Sequence, residues 1–555
     1  MAYIAIAKYD TRAFAKVLPR LHGKERTVQS YHPTVETWTV TKPVVESKGG
    51  VVASQHYFAS EVGARVLEAG GNAVDAAVAA GFAIGTVEPW MSGLGGGGYM
   101  LVYRAADDRC QVVDFGMRAP FALDPADYPL AQSGMDGDLF GWPAVVDERN
   151  VSGPLAFSTP GFVAGMAAAL ERFGSISWQD ALGPAIDSAR RGFVVDWFAT
   201  LKIAAAARGL SAFPESARTY LPDGFAPAGE WGGPPPKIKL GSLADTLVRL
   251  GEAGAEDFYR GGVAAALIED VREAGGKLGR EDLKRYQARV VPALERRYRE
   301  ARVFAAPKLT AGPSLNRALE ILEKKLEPGG APDAAAYSAY AESLSLSYAE
   351  RLEQMGDVDQ GESCTTHLSV ADRAGNMVSL TQTLLSVFGS KVMLPRTGIL
   401  MNNGVMWFDP RPGGPNAMAP GKRPLSNMCP TVVDRGDGAR IAVGASGGRR
   451  IMPAVLQLIS FLVDYRMELG TAVHQPRIDV SGAPPVIVDS RLDDATVAEL
   501  SKSHATCVTP HGVYPALFAC PNVVIREQDR GFSAGGAFVM SPWAAARSEQ
   551  VNGAD

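Results

Sequence analysis

The feature that most constrains the fold is a pair of short alternating segments joined by a turn. Apolar and polar residues alternate along 365–371 and again along 377–383, a pattern typical of half-buried β-strands. A three-residue loop between them, with Gly375 at positive φ, places Thr365 opposite Thr383. We therefore predict a β-hairpin that carries two threonine hydroxyls on one face of its open end.

The position of Thr365 would let its hydroxyl act on the chain itself. Residues 355–364 are acidic, contain glycine and show no strand or helix pattern, so we expect an exposed loop that leads directly into the first strand. Attack of the Thr365 hydroxyl on the carbonyl of Cys364 would convert the peptide bond into an ester, and hydrolysis would leave Thr365 as a new N-terminus. A free α-amine has a reference pKa of about 7.7–8.0 and can serve as base for the adjacent hydroxyl. Since Thr is common in strands, this hypothesis needs support from the rest of the chain.

Composition indicates a large globular protein. The chain has 555 residues, enough for roughly three or four domains, with 46% hydrophobic and 21% charged residues. A formal net charge of −5 gives no reason to expect a nucleic acid or an anionic membrane as partner. There is no apolar run of about 18 residues, and the N-terminus lacks the basic flank and hydrophobic core of a signal peptide. We therefore expect a cytoplasmic protein.

Cysteine and histidine form no recognisable metal or disulfide pattern. The 5 cysteines are odd in number and include no C-x-x-C pair, and the 7 histidines are scattered without an H-x-x-x-H. We therefore expect neither a metal site nor a disulfide framework.

The rest of the chain alternates helical and irregular segments. Residues 1–47 look like an irregular N-terminal arm. An Ala-rich helical stretch at about 58–86 is interrupted at 70–72, and its second half is apolar on nearly all sides, which requires burial. Helices alternate with polar, proline-rich connectors along 151–355, and the last of them, at 334–355, is amphipathic.

A glycine-rich run at 93–98 contains the letters of the dinucleotide-binding fingerprint, G-x-G-x-x-G. That fingerprint needs a strand before the glycines and a helix N-terminus after them to hold the pyrophosphate. Here a helix precedes the glycines and a strand, 99–103, follows them. We therefore favour a turn packed closely against neighbouring backbone over a nucleotide site.

A second glycine motif, Gly447-Gly448, follows a strand at 441–443 and precedes an apolar helix at about 452–466. This order can present backbone N–H groups to an anion, as an oxyanion on a carbonyl attacked by Thr365 would require. A tight strand-to-helix turn without a ligand explains the same pattern, so both interpretations remain open.

Together these motifs resemble the γ-glutamyltranspeptidase family, also called glutathione hydrolases, whose members are N-terminal-nucleophile enzymes made as one chain. The matching motifs keep the family's order from about residue 48 onward, at 70–77, 87–98, 365–370, 398–403 and 422–428. The resemblance implies an α+β fold, the four-layer αββα sandwich, and self-cleavage between Cys364 and Thr365. The products would be a large subunit, 1–364, and a small subunit, 365–555. A dimer of such heterodimers is one assembly open to them.

The resemblance also implies roles for single residues. Thr365 is expected to be the nucleophile, and Thr383 the second threonine, whose hydroxyl orients the nucleophile's amine. Gly447 and Gly448 correspond to the oxyanion hole, and Ser426 to the first of two serines that hold the donor's carboxylate. The implied chemistry is acyl transfer from a small-molecule amide, through a threonyl ester, to water or to an amine acceptor. It needs no cofactor.

The residues that recognise the donor in the family are largely replaced in this chain. The arginine expected directly after Asp114-Phe115 is absent, and the nearest one is Arg118, two places later. The second serine is Asn427. Where the family has an asparagine, a glutamine and an acidic residue, this chain has Leu385, Gly404 and Trp407.

These replacements leave three functions open. An amino-acid ammonium is costly to bury without an acidic partner, and Leu385 and Trp407 offer none. One function is ordinary glutathione hydrolysis, in which residues other than these bind the ammonium group of the donor. A second is an amidase or acylase for non-glutamyl acyl amides, glutaryl- or oxamate-like, with Arg118 or Arg449 as carboxylate anchor. The third is a family member that neither processes nor catalyses, against which Thr365 and Thr383 argue.

Overall fold

The computed structural model describes residues 28–30, 40–135, 142–355, 364–481, 484–513, 516–537 and 541–550. Side chains are described throughout these ranges except at 28–30, 133, 135, 352–355 and 364. Two predicted features, most of the N-terminal arm and the loop at 356–363 before the hairpin, therefore lie outside the described residues.

The helices are concentrated in the first two thirds of the described chain. Their bounds are α1 Tyr57–Glu68, α2 Ala73–Val87, α3 Phe162–Phe173, α4 Trp178–Arg191, α5 Trp197–Leu210, α6 Pro214–Tyr220, α7 Leu243–Ala253, α8 Glu256–Arg260, α9 Gly262–Glu273, α10 Arg280–Lys284, α11 Gly312–Lys325, α12 Ala334–Met355, α13 Ile451–Val463, α14 Leu469–His474 and α15 Asp494–Ser503.

The strands occur before, between and after these helices. Their bounds are β1 Val28–Ser30, β2 Val45–Ser47, β3 Val51–Ser54, β4 Gly97–Arg104, β5 Arg109–Phe115, β6 Leu130–Met135, β7 Pro143–Val145, β8 Phe193–Val194, β9 Lys237–Ile238, β10 Arg289–Pro292, β11 Leu294–Tyr298, β12 Ala301–Ala305, β13 Cys364–Ala371, β14 Met377–Leu385, β15 Thr431–Asp434, β16 Ala439–Ser446, β17 Ile478–Asp479, β18 Val486–Asp489, β19 Thr506–Thr509, β20 Cys520–Glu527, β21 Phe532–Ala537 and β22 Ala545–Ser548.

Within the described ranges, most strands belong to two seven-stranded antiparallel sheets. The first has the order β10-β5-β4-β14-β13-β3-β22, and the second has the order β11-β12-β15-β16-β20-β21-β2. A smaller sheet, β1-β19-β18-β17, and two strand pairs, β6-β7 and β8-β9, lie outside them. The predicted hairpin, β13-β14, occupies the centre of the first sheet.

Three apolar layers hold the sheets and helices together. One packs α2, α3 and α4 against Val52, Val370 and Leu380 of the first sheet. A second joins the two sheets and includes Leu101 and Val432. The third packs α11, α12 and α13 against the second sheet. The order helix, sheet, sheet, helix confirms the predicted α+β class and the four-layer αββα sandwich.

The hairpin confirms the predicted turn and register. Residues pair from Thr366 with Gln382 to Ala371 with Met377, and the loop contains Gly375 at φ +86°. The pairing shifts between Cys364 and Thr366, so the ladder is irregular at Thr365 itself. Such an irregularity re-aims the side chain at a strand end, which is where the predicted nucleophile lies.

The break in the Ala-rich stretch also lies where the sequence indicated. The side chain of Asn72 accepts hydrogen bonds from the N–H groups of Val74 and Asp75, and the Asp75 carboxylate accepts from the N–H of Asn72. This capping box starts α2, whose residues are buried from its first to its penultimate position. The end of α2 leads directly to the open end of the hairpin.

The N-terminal arm is less irregular than predicted. In its described parts, β1 pairs in parallel with β19, and β2 pairs antiparallel with β21 at an edge of the second sheet. The prediction of an irregular arm is therefore wrong for these two segments. Each has three residues, and the partner strand rather than a local pattern determines that they are extended.

Candidate active site

One edge of the stacked sheets brings the predicted site together. β13 begins and β14 ends at this edge of the first sheet, and β16 ends near it in the second sheet. The two sheets contact each other at this edge. His367 of β13 packs on Gly444 of β16, where an added Cβ would lie 2.3 Å from the imidazole. Ser379 Oγ also donates to the Val443 carbonyl oxygen at 3.0 Å. Thr365 and the Gly447-Gly448 turn therefore lie at the same edge.

The two threonine hydroxyls of the hairpin are in contact. Thr365 Oγ1 donates to Thr383 Oγ1 at 3.3 Å, and Thr383 Oγ1 also accepts from the Leu385 N–H at 2.8 Å. Thr365 is 3% exposed and Thr383 is fully buried. A threonine hydroxyl both donates and accepts hydrogen bonds, so Thr383 has the chemistry to orient a neighbouring amine or hydroxyl.

The glycine run at 93–98 allows the hairpin to pack this closely. A Cβ added at Gly96 would lie 2.3 Å from the Thr383 carbonyl oxygen, and one at Gly98 would lie 2.2 Å from the Thr381 carbonyl oxygen. Only glycine fits at such distances. The contacts agree with the interpretation of this run as a close-packed turn.

The Gly447-Gly448 turn has the backbone conformation that requires glycine, with φ +129° and +62°. Gln55, directly after β3, connects this turn to the hairpin. Its Oε1 accepts from the His367 N–H at 3.1 Å, and its Nε2 donates to Ser446 Oγ at 2.5 Å. Sequence reasoning missed Gln55. The available signal was a polar residue immediately after an apolar strand.

His367 has a structural role at this edge. Burial lowers its pKa to about 3, so the imidazole is neutral near pH 7. Its Nδ1 lies 2.9 Å from Thr381 Oγ1 and its Nε2 lies 3.1 Å from Ser369 Oγ. A neutral ring with both nitrogens in hydrogen bonds stabilises the packing of the sheets.

The loop that contains Ser426 and Asn427 lies before β15. Ser426 Oγ accepts from the Met428 N–H at 3.2 Å, and the Ser426 carbonyl oxygen accepts from Arg351 Nη2 at 2.8 Å. Asn427 is buried, and its Nδ2 has no hydrogen-bond partner among the described residues. A buried amide nitrogen without a partner is a candidate donor to a bound ligand.

Two of the positions that depart from the resembled family, Leu385 and Trp407, lie in an apolar cluster. Leu385 and Trp407 are buried together with Met117, Met406 and Met428 in the layer between the sheets. Leu385 has φ +89°, a conformation that side chains other than Asn and Gly rarely adopt.

The surroundings of Gly404 leave little room for the glutamine that the family resemblance predicts at this position. A Cβ at this position would lie 2.7 Å from Ser158 Oγ and 3.0 Å from Met117 Sδ. A longer side chain therefore needs a rearrangement of this region.

The two candidate carboxylate anchors have different surroundings. Arg118 is half-buried, donates through Nε to the Gly421 carbonyl oxygen at 2.7 Å, and lies 4.5 Å from the centre of the Phe121 ring. Arg449 is buried, and its guanidinium donates to the Ser481 carbonyl oxygen. Arg118 directly follows Met117 of the apolar cluster, and Arg449 directly follows the Gly447-Gly448 turn.

Within the described ranges, no group of three or more His, Cys, Asp or Glu side chains is arranged to hold a metal ion. No described helix has both the length and the apolar character that a membrane span needs.

This chain has the architecture of the N-terminal-nucleophile hydrolases. Two antiparallel sheets are stacked between helices, and a central strand starts at the edge that the sheets share. The solved cephalosporin acylase from Bacillus halodurans has this fold, with a TM-score of 0.81 and 24% identity, covering 94% of this chain and 100% of that chain.

The family follows from sequence comparison. The gamma-glutamyltranspeptidase model matches residues 59–364 and 359–537. The chain is 32% identical over 500 residues to the glutathione hydrolase proenzyme of Bacillus subtilis (strain 168), covering 79% of this chain and 81% of that one. It is 31% identical over 516 residues to the acylase ACY 1 proenzyme of Pseudomonas sp. (strain SE83), covering 86% and 91%. The chain therefore belongs to the γ-glutamyltranspeptidase family, and it is a hydrolase or transferase.

Proposed function

We propose that this chain cleaves itself between Cys364 and Thr365 and then hydrolyses amides whose acyl group carries a carboxylate but no α-amine. The observation that supports this donor class most directly is the buried apolar cluster of Leu385 and Trp407. Glutathione hydrolase and acylase proenzymes are both among the relatives, at similar identity, and their names support processing of a precursor.

The cleavage step uses the threonine hydroxyl as nucleophile. Thr365 Oγ1, held by Thr383 Oγ1 at 3.3 Å, attacks the carbonyl carbon of Cys364. The C–N bond breaks, the Thr365 nitrogen takes the hydroxyl proton, and water hydrolyses the resulting ester. The products are a Cys364 carboxylate and a free Thr365 α-amine.

Turnover repeats the same chemistry on a bound amide. The α-amine accepts the proton of Thr365 Oγ1 as the oxygen attacks the substrate carbonyl, and the oxyanion faces the N–H groups of Gly447 and Gly448. The C–N bond breaks, and the departing amine takes the proton from the α-ammonium. Water then hydrolyses the threonyl ester and releases the acid.

The donor preference follows from charge. An α-ammonium held against Leu385 and Trp407 would lose its hydration without gaining an acidic partner. The desolvation would cost several kcal/mol of binding free energy. A carboxylate on the acyl group meets a different set of groups, the buried amide nitrogen of Asn427 and the guanidinium of Arg118. The site therefore suits a glutaryl-like acyl group better than a γ-glutamyl group.

A matched pair of donors tests this preference. Glutaryl-4-nitroanilide and γ-glutamyl-4-nitroanilide differ only in the α-amine, and release of nitroaniline reports kcat/KM for both. We expect glutaryl to exceed γ-glutamyl by about tenfold or more, corresponding to about 1.4 kcal/mol or more. A clear preference for γ-glutamyl would show ordinary glutathione hydrolysis and contradict the proposed donor class.

A matched pair of variants tests the nucleophile. Thr365→Val should abolish both cleavage and turnover, since it removes the attacking oxygen. Thr366→Val removes the neighbouring hydroxyl, which is buried without a hydrogen-bond partner among the described residues, and should retain both activities. Denaturing gels and nitroanilide hydrolysis provide the two readouts. Two fragments from Thr365→Val would show that the nucleophile lies elsewhere.

A further inference from the structure

A pocket at the start of α1 lies apart from the residues assigned to the mechanism above. Its walls come from the start of α1, the ends of α2 and α4, the strand pair β8-β9 and the segment before β22. The cavity measures about 240 Å³. Among the described residues that line it, none has been given a catalytic or donor-binding role.

Aromatic rings form one wall of this pocket. The rings of His56 and Tyr57 stack, with 4.8 Å between their centres and an angle of 27° between their planes. The Trp543 ring lies at 60° to that of Tyr57, with 5.7 Å between the centres. Tyr57 is 38% exposed and Trp543 is half-buried, so both rings can contact a ligand. Because aromatic rings pair by offset stacking or edge-to-face contact, this wall favours a planar aromatic ligand.

His56 supplies a hydrogen-bond donor to the same wall. It is 9% exposed, and its Nδ1 accepts from the Phe58 N–H at 3.2 Å. Burial lowers the pKa of His56 to about 3, so the ring is neutral near pH 7 and carries its one proton on Nε2. No described residue accepts a hydrogen bond from this Nε2–H. A donor on a side chain that is nine-tenths buried and lacks a partner is available to an oxygen of a ligand.

Two cations line the pocket without a counter-charge. Arg191 ends α4, and Lys237 begins β9. Neither side chain forms an ion pair or a hydrogen bond with a described residue, and the described lining residues include no Asp or Glu. A guanidinium can bind a carboxylate through two parallel N–H···O bonds, and an ammonium adds a compact positive charge. The charge of the pocket therefore favours an anion.

The volume of the pocket limits the size of the ligand. A cavity of about 150 Å³ in another protein is large enough to hold benzene. Pockets for larger ligands span about 300–1,000 Å³. A cavity of about 240 Å³ therefore suits one aromatic ring with a carboxylate attached.

We propose that this pocket binds a small planar aromatic acid. The ring of the acid packs against Tyr57 and Trp543. Its carboxylate accepts hydrogen bonds from the two cations, Arg191 and Lys237, and from the Nε2–H of His56. This assignment goes beyond the proposed function and does not depend on self-cleavage or on the donor class, because no residue of that mechanism takes part in it.

A matched set of ligands tests the chemistry of the pocket. Benzoate, its uncharged analogue benzamide and its non-aromatic analogue cyclohexanecarboxylate are titrated into the full protein by calorimetry. We expect benzoate to bind about fivefold or more tightly than either analogue, because each analogue lacks one of the two recognised features. Absence of benzoate binding, or equal affinity for all three ligands, would overturn the proposal.

A matched pair of arginine variants tests the location. Arg191→Ala should weaken benzoate binding about fivefold or more, whereas Arg190→Ala, which removes the preceding exposed arginine outside the pocket, should leave the Kd unchanged. Tyr57→Leu should also weaken benzoate binding, and circular dichroism shows whether each variant is folded. Equal effects of the two arginine variants, or unchanged benzoate binding in both folded Arg191→Ala and folded Tyr57→Leu, would place the ligand elsewhere and refute the assignment.

Discussion

Among single residues, Glu88 connects the stability of the molecule to pH. Burial raises its pKa from 4.5 to about 8. Between these values the folded chain keeps a proton that the unfolded chain releases, so the contribution of Glu88 to the free energy of unfolding falls as pH rises. Glu88→Gln keeps the shape of the side chain and its hydrogen bond from Ser541 without the ionisation.

The expected result is that Glu88→Gln gains stability relative to the native protein as pH rises from about 5 to about 8. Urea unfolding of both proteins at these two pH values measures the difference. An equal difference at both values would mean that Glu88 has a similar pKa in the folded and unfolded chains, contrary to its burial.

Local geometry decides which single residues could be predicted. The Thr365–Thr383 contact followed from the hairpin, because loop length and Gly375 determine the register. The replacements Leu385 and Trp407 could also be recognised from sequence. The direction of the Arg449 side chain could not, since its acceptor, the Ser481 carbonyl oxygen, lies 32 positions away in the chain.

Among the elements, α12 supports both loops of the candidate site. The Tyr348 hydroxyl donates to the Arg449 carbonyl oxygen in the turn after Gly448. Arg351, one turn later, donates to the carbonyl oxygens of Ser426 and Thr310, both at 2.8 Å. The sequence indicated only an amphipathic helix here. Tyr337, Tyr340 and Tyr348 pack in the core, and their hydroxyl partners come from remote segments.

Two variants of α12 separate support of the site from general stability. Tyr348→Phe and Tyr337→Phe each remove one hydroxyl that donates to a backbone carbonyl, of Arg449 and of Pro476 respectively. Each should lower the free energy of unfolding by about 1 kcal/mol. Only Tyr348→Phe should also lower kcat, because only Arg449 follows the proposed oxyanion donors.

Thermal unfolding and single-turnover rates measure the two effects. Equal losses of kcat in both variants would mean that α12 affects the site only through overall stability.

For the whole molecule, the layer order was predictable and the convergence at the sheet edge was not. Periodicity identified the buried helix α2 and the central hairpin, and the order of motifs implied the sandwich. The short strands β1 and β2 could not be predicted because their partners are remote in sequence. A cleft lined by Glu88, Lys202 and Arg450 could not be predicted for the same reason, since three distant elements contribute one side chain each.

Self-cleavage is the central claim, because without it Thr365 has no free amine. Intact mass and N-terminal sequencing of purified, active protein test it directly. We predict two fragments, residues 1–364 and 365–555, with the second starting at Thr365. A single uncut chain that hydrolyses amides, or a second fragment that starts at another residue, would contradict the account.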